Sequence, residues 1–245
     1  MDLLVNAMFA GGVRVLLADD DPIVSDVVRR YLERDGLQVT LVGAGDAALE
    51  HLENHRVDLV VLDVMMPGRS GIEVLTEIRR GPHAGMPVIL LTASGEEEDR
   101  LVGLEAGADD YVIKPFSPRE LVLRVQSVLR RSVATWSGPA AASDLSDGNI
   151  VMDAEARTVT VAGELINTTK REFDLLRFFL SHRDAVFSRE QLLSLVWGWS
   201  FGDLSTVTVH VKRLRAKLGD CDSLETVWGQ GYRWGSEPAS RQETT

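Results

Sequence analysis

The sequence predicts an α/β chain in two parts, a doubly wound five-stranded parallel sheet followed by a smaller domain of three helices and a terminal hairpin. Three observations predict it. Short apolar runs rich in Val, Ile and Leu recur before residue 131 and alternate with stretches of helical periodicity, the mark of strands buried in a parallel sheet. Residues 132–147 (SVATWSGPAAASDLSD) are small, polar and Pro/Gly-containing, and read as a linker of low secondary-structure content. Beyond them, short β-prone segments precede three helical patterns.

Taken in order, Val13 to Ala18 is the first strand and runs into Asp19-Asp20-Asp21. Pro22 to Arg34 carries Val24, Val27, Val28, Tyr31 and Leu32 at helical spacing, with Asp21 as N-cap and Pro22 at the first helical position. Gln38 to Val42 is the second strand and Asp46 to Asn54 the second helix. Leu59 to Leu62 ends at Asp63. Pro67-Gly68 then turns the chain into a helix through Glu73, Leu75 and Ile78, closed by Gly81 and Pro82. Val88 to Leu91 ends at Thr92, and Glu96 to Glu105 is a fourth helix ended by Gly107. Tyr111-Val112-Ile113 ends at Lys114-Pro115, and Ser117 to Arg131 is the fifth helix. Residues 13–131 thus form an open doubly wound sheet. The flavodoxin-like strand order 2-1-3-4-5 would set strands one and three side by side, making Asp19, Asp20 and Asp63 neighbours.

Residues 148–236 form the second domain. Asn149 to Met152, Arg157 to Val161 and Gly163 to Leu165 are β-prone. Thr169 to Ser181 places Phe173, Leu176, Phe179 and Leu180 on one side. Ser188 to Val196 begins with Ser188 and has Gln191 three residues on, a capping box. Ser205 to Leu218 follows. Glu225 to Trp228, the tip Gly229-Gln230-Gly231 and Tyr232 to Trp234 make a hairpin. Three helices and a terminal hairpin describe a winged helix-turn-helix. Met1 to Gly12 and the polar tail from Glu237 read as disordered extensions.

With 245 residues, 44% apolar and 26% charged, the chain can bury two modest cores. Its single cysteine, Cys221, rules out an internal disulfide framework and fits a reducing compartment, hence a cytoplasmic location. No apolar stretch is long enough to span a bilayer, Met1 to Gly12 lacks the basic residues of a signal peptide, and the five histidines show no metal-ligand spacing. The net charge is −11: residues 1–131 hold 14 Lys/Arg against 22 Asp/Glu, and residues 132–245 hold 12 against 15. Neither half is basic, so any DNA-binding surface must be a local patch.

The strand ends carry the chemistry. Asp19, Asp20 and Asp63 would crowd carboxylates together at the carboxyl edge of the sheet, where a cation must offset their repulsion, and hard oxygen ligands favour Mg²⁺. Thr92 and Lys114 add a hydroxyl and an ammonium for a phosphoryl group, and a Lys-Pro peptide has access to the cis form that would fix the lysine's aim. Gly43-Ala44-Gly45-Asp46 superficially fits a dinucleotide fingerprint, but that assignment leaves the acids, Thr92 and Lys114 idle, and paired glycines in a strand-helix turn commonly serve packing. A haloacid-dehalogenase-type phosphatase needs an acid two residues after the nucleophile, where this chain has Met65.

The set Asp19/Asp20, Asp63 in LDVMMPGRSG, Thr92-Ala93 and Tyr111-Val112-Ile113-Lys114-Pro115-Phe116 resembles the receiver domain of a two-component response regulator. With the C-terminal pattern, the chain resembles the OmpR/PhoB family over residues 13–235. The resemblance implies that Asp63 is the phosphoacceptor for a sensor histidine kinase and that the protein is not an enzyme acting on an external substrate. It implies Mg²⁺ on Asp20, Asp63 and the Met65 carbonyl, with Asp19 acting through water. It also implies that Lys114 pairs with the phosphoryl group, that Thr92 swings to bond it, and that Tyr111 turns inward. The remaining alternative is a phosphorylation-independent regulator of the same fold.

On the last helix, Val207, Val211, Leu214 and Leu218 share one side, and Thr208, Lys212 and Arg215 share one outward face, with Arg213 and Lys217 flanking. Four Lys/Arg and no acid in 205–218 point to a recognition helix in a major groove of promoter DNA. Thr208, His210, Lys212, Arg213, Arg215 and, in the hairpin, Tyr232 are the expected contacts. Trp228 stands where wings of the family often carry Arg. The resemblance further implies a homodimer on phosphorylation, through the fourth helix, fifth strand and fifth helix. Arg100 would face Glu120 and Asp110 would face Arg124 across a two-fold, with Asp109 and Arg131 nearby. RNA polymerase is a further expected partner, and no membrane contact is expected.

Overall fold

The computed structural model describes residues 12–93, 103–133, 145–199 and 203–235. The chain divides into two compact units at Ala134/Thr135. In the first, β1 (Arg14–Ala18), α1 (Pro22–Arg34), β2 (Gln38–Val42), α2 (Gly45–Asn54), β3 (Leu59–Asp63), α3 (Gly71–Arg80), β4 (Val88–Thr92), β5 (Asp110–Ile113) and α4 (Pro118–Val133) follow one another. All strand pairs are parallel and the order is β2-β1-β3-β4-β5, the flavodoxin-like order expected. Every residue of β3 and β4 is buried, which is why these strands read as unbroken apolar runs rather than alternating ones. Val15, Leu17, Leu59, Val61, Ile89 and Leu91 pack on one face of the sheet against Val28 and Leu32 of α1 and Leu121 and Val125 of α4.

The helix starts are set locally. Asp21 accepts from the Ile23 and Val24 amides, with Pro22 beside it. Ser70 and Glu73 form a reciprocal capping box at α3. Residues 103–106 are helical, and the rest of the expected fourth helix lies outside the described residues.

The second unit opens with an antiparallel sheet, β6 (Leu145–Asp147), β7 (Ile150–Asp153), β8 (Thr158–Val161) and β9 (Glu164–Ile166). Then come α5 (Lys170–Ser181), α6 (Arg189–Leu192) running on into a π turn (Leu193–Trp197), α7 (Ser205–Leu218), a 3₁₀ turn (Gly219–Cys221), and the hairpin β10 (Leu224–Val227) and β11 (Gly231–Trp234). This is a winged helix. Phe173, Leu176 and Phe179 of α5 pack with Val207, Val211 and Leu214 of α7 and with Trp197 and Trp234.

Two boundaries move. Helix α4 runs to Val133, and Leu145–Asp147 is a strand rather than part of a linker. Gly148, at φ +53°, turns β6 back onto β7 so that Asp147 pairs with Ile150. The Trp234 indole donates to Asp147 Oδ2 at 2.6 Å and pins the strand. Among the described residues, no helix is long and apolar enough to cross a membrane.

Candidate functional site

The pocket of the first unit is built by strand order. Because β1 and β3 are neighbours, Asp19 and Asp20, just past the end of β1, meet Asp63 at the end of β3. Carboxylate oxygens of the three lie within 4.8 Å of one another, with Asp19 and Asp63 buried and Asp20 exposed. Lys114, past the end of β5 and followed by a cis peptide to Pro115, reaches between them. Its Nζ is 2.8 Å from Asp19 Oδ2 and 2.7 Å from Asp63 Oδ2. The Lys114 amide donates to Thr92 O at 2.6 Å, tying the ends of β4 and β5 together.

The remaining oxygens are aimed by backbone groups. Asp19 Oδ1 accepts from the Asp21 amide at 2.9 Å, and Asp63 Oδ1 from the Met65 amide at 3.2 Å. Gly71 is required at the start of α3, since a Cβ there would sit 2.2 Å from the Asp63 carbonyl oxygen. Gly45 has a similar packing role, since its Cβ would meet Arg69 O at 2.2 Å, which accounts for the second glycine of the rejected nucleotide fingerprint.

Burial pushes the Asp63 carboxyl above the ordinary aspartate value. The hydrogen bond and charge of Lys114 oppose that rise, and the like charge of Asp19 adds to it. Burial works to lower Lys114, but its bonds to Asp19 and Asp63 outweigh it and hold the ammonium above the ordinary lysine value. Desolvation prevails at Asp63 and the ion pairs prevail at Lys114, as expected where one ammonium serves two carboxylates. The donor set fits a hard divalent cation: three carboxylates converge, and a single ammonium leaves net negative charge. Thr92 is buried at the end of β4, and the Met65 side chain is largely exposed. Tyr111 is buried in β5.

In the second unit, Thr208 and Lys212 lie exposed on α7, while Val207, Val211, Leu214 and Leu218 are buried, as the helical spacing predicts. The four other expected DNA contacts have partners within the domain. His210 is fully buried; its Nδ1 lies 2.8 Å from Thr206 O and its ring packs edge-on against Trp197. Arg213 pairs with the buried Glu172 of α5 at 2.7 Å, beside Lys217 on the same carboxylate at 2.6 Å. Arg215 donates to Leu224 O at 2.7 and 3.1 Å and to Thr226 Oγ1 at 3.0 Å, so it ties α7 to the hairpin. Tyr232 is a core residue.

Residues of the expected interface of the first unit also have partners within one chain. Arg124 bonds Asp110 at 3.0 and 3.2 Å and Glu120 at 2.8 and 3.1 Å within one chain, and Asp110 is buried. Asp109 is buried and bonded at 2.9 Å to both Arg79 and the Val88 amide. Arg100 and the Arg131 side chain lie outside the described residues.

Comparison with known proteins agrees with this geometry. Residues 15–126 match the response regulator receiver domain, and residues 163–234 match the C-terminal domain of transcriptional regulatory proteins. The transcriptional regulatory protein ResD of Bacillus subtilis (strain 168) is 41% identical over 230 residues, covering 90% of this chain and 95% of ResD. The chain belongs to the OmpR/PhoB family of response regulators. SrrA of Staphylococcus aureus (strain NCTC 8325 / PS 47) is 40% identical over 229 residues, 90% of this chain and 94% of SrrA. Among solved structures, a mutant form of RitR matches with a TM-score of 0.73 and 26% identity, over 91% of this chain and 99% of that one. The response regulator therefore joins a receiver domain to a DNA-binding domain of a transcription-regulator family, rather than to an enzyme.

Proposed function

We propose that this response regulator takes a phosphoryl group on Asp63 from a sensor histidine kinase and, in that state, binds promoter DNA as a dimer. The observation that carries the proposal is Lys114 Nζ held between Asp19 and Asp63, with Asp20 completing the acidic cluster. An Asp63 carboxylate oxygen attacks phosphorus as the bond from phosphorus to the kinase imidazole breaks. Lys114 then exchanges a carboxylate contact for a phosphoryl oxygen, and Thr92 donates its hydroxyl to another. Asp63 is buried, and that burial pushes its carboxyl above the ordinary aspartate value. Mg²⁺ held by Asp20, Asp63 and the Met65 carbonyl, with Asp19 through water, would supply neutralisation of the phosphoryl oxygens.

Thr208 and Lys212 are the α7 side chains proposed to reach the major groove, Lys212 for a guanine edge or a phosphate. A cytoplasmic location, a homodimer and contact with RNA polymerase complete the proposal. To test it, wild type and Asp63→Asn are incubated with acetyl phosphate and Mg²⁺ and weighed intact. A phosphoryl adduct on wild type alone is expected. No adduct on either would favour a phosphorylation-independent regulator.

A further inference from the structure

A cavity of about 230 Å³ opens beside the edge strand of the receiver sheet. It lies among the first residues of β1 and β2 and the last turn of α2, at the opposite end of the strands from Asp63. Arg14, Thr40, His51, His55 and Arg56 supply its polar walls, and Val15 and Val39 are apolar ones. No acid lines it, although residues 1–131 hold 22 Asp/Glu against 14 Lys/Arg. A hollow walled by two guanidiniums and two imidazoles gathers positive charge in an otherwise acidic domain.

Its donors are largely uncommitted. Arg29, Arg69, Arg79 and Arg124 of the same domain each sit on an aspartate. The Arg14 guanidinium has no such partner among the described residues; what Arg14 gives Asp58 is its backbone amide, at 2.9 Å. Arg56 meets Asp58 only loosely, at 3.4 Å, from an exposed position. The Thr40 hydroxyl and the His51 ring make no hydrogen bond among the described residues. His51 and His55 stack with their ring centroids 4.2 Å apart. Burial, and then the charge of His55, hold His51 below the ordinary histidine value, so that its ring offers a neutral N–H. The carbonyls that end α2 would repel an anion, but they are covered. Glu50 O accepts from the Asn54 side-chain amide at 2.8 Å, and His51 O from the His55 amide at 2.9 Å.

The donor set selects the ligand. Paired imidazoles suit a transition metal, but two guanidiniums beside them oppose a cation, and the walls offer no carboxylate to complete its shell. An oxyanion suits every group present. The donors approach from β1, β2, α2 and the segment after α2, which fits a tetrahedral phosphate better than a flat carboxylate. At about 230 Å³ the cavity is smaller than the roughly 300–1,000 Å³ of pockets for drug-sized ligands, so the ligand is small.

We propose that this cavity binds a phosphate group, free or carried by an ester of a few carbons, with Arg14 as its chief cation. It is a second ligand site on the receiver, and it does not depend on the proposed phosphoacceptor chemistry of Asp63.

The test titrates the full chain with inorganic phosphate, glycerol 3-phosphate and succinate, in buffer with EDTA so that the acidic cluster holds no metal. Calorimetry reads affinity, and the histidine ring resonances read location. A phosphate compound should bind and shift the His51 and His55 rings while those of His83 and His182 stay in place. The tighter of the two phosphates identifies the source. Arg14→Ala should bind roughly tenfold more weakly or worse, as expected for loss of a charged hydrogen-bond donor. Arg14→Lys keeps the stem and the charge but not the planar fork, and should fall between. Thermal melts check that each variant is folded, and Arg14→Lys carries the test if Arg14→Ala is not. Unchanged binding by folded Arg14 variants, or succinate bound as tightly as the phosphates, overturns the proposal. So does a wild-type chain that takes Zn²⁺ on His51 and His55 but no phosphate, or that binds none of the three anions.

Discussion

Arg213 Nη2 lies 2.7 Å from Glu172 Oε1, so a residue that looks like a DNA contact on the helix surface is half of a buried ion pair between α5 and α7. Glu172 is fully buried and holds Lys217 as well, while its backbone-facing side caps α5 through the Thr169 amide at 2.7 Å. Removing Arg213 leaves Lys217 as the remaining cation. Arg213→Ala should therefore destabilise the C-terminal domain by about 1–3 kcal/mol. It should leave the salt slope of duplex binding unchanged wherever the domain stays folded. Denaturant titration and binding across salt concentrations check both parts, and a slope shallower by about one would put Arg213 on a phosphate.

The same carboxylate gives the domain an acid limit. Burial raises the Glu172 pKa, but the charges of Arg213 and Lys217 and the hydrogen bonds from Lys217 and the Thr169 amide outweigh it, and the net shift is downward from 4.5. A depressed folded value means that the unfolded chain binds the proton first. Its contribution is then complete above pH 4.5 and is lost as pH falls through the folded value. Denaturant midpoints measured from pH 6 downward should fall more steeply for wild type than for Glu172→Gln. Parallel curves would remove Glu172 from the acid response.

How much of this was legible in the sequence follows from what each signal encodes. Strand identity in the receiver was readable because a parallel sheet buried on both faces demands short apolar runs. Strand order was not, and came only with the flavodoxin-like pattern, whose switch point gathers the residues that end the strands. Asp19, Asp63 and Lys114 were thus placed by topology. Side chains whose partners come from distant elements were not. Nothing local to Arg213, Arg215 or Arg124 announces Glu172, Leu224 or Asp110. His210 was legible in principle, since it lies roughly 60° from Val207 on the core side of the helical wheel. Leu145–Asp147 was hidden because one turn of polar sequence looks the same in a linker and in an edge strand; only Gly148 marked the hairpin.

The pocket itself predicts a response to metal. Lys114 is the only cation bonded to Asp19 and Asp63 among the described contacts, and without it two buried carboxylates face each other. Lys114→Met should melt below wild type in the absence of Mg²⁺ and gain more than wild type when Mg²⁺ is added, because the cation then carries all the neutralisation. Thermal melts with and without Mg²⁺ measure this, and equal gains would count against Mg²⁺ at these acids.

Gly71 offers a structural control on Asp63. A methyl group at its Cβ position must displace the Asp63 carbonyl or the first turn of α3. Gly71→Ala should cost about 1–3 kcal/mol, in the range of overpacked sites. It should also slow labelling of Asp63 by acetyl phosphate in protein that remains folded, read by intact mass over time. Unchanged labelling would mean that the strand end yields without moving the carboxylate.

Arg124 separates folding from assembly. Its guanidinium is bonded to Asp110 and Glu120 inside one receiver, and burial is offset there by the charge of Asp110 and the bonds to Glu120, so the group stays firmly protonated. A residue that bridged only two protomers would leave the monomer's stability untouched when removed. One that neutralises a buried aspartate of its own chain cannot. Arg124→Ala should therefore lower the melting temperature of the unphosphorylated protein at concentrations where sedimentation finds it monomeric. Loss of a buried partner typically costs about 3–5 kcal/mol, less here because Arg124 is also shared with the partly exposed Glu120. An unaltered monomer melt combined with loss of beryllofluoride-induced dimer would restore Arg124 to a contact between protomers.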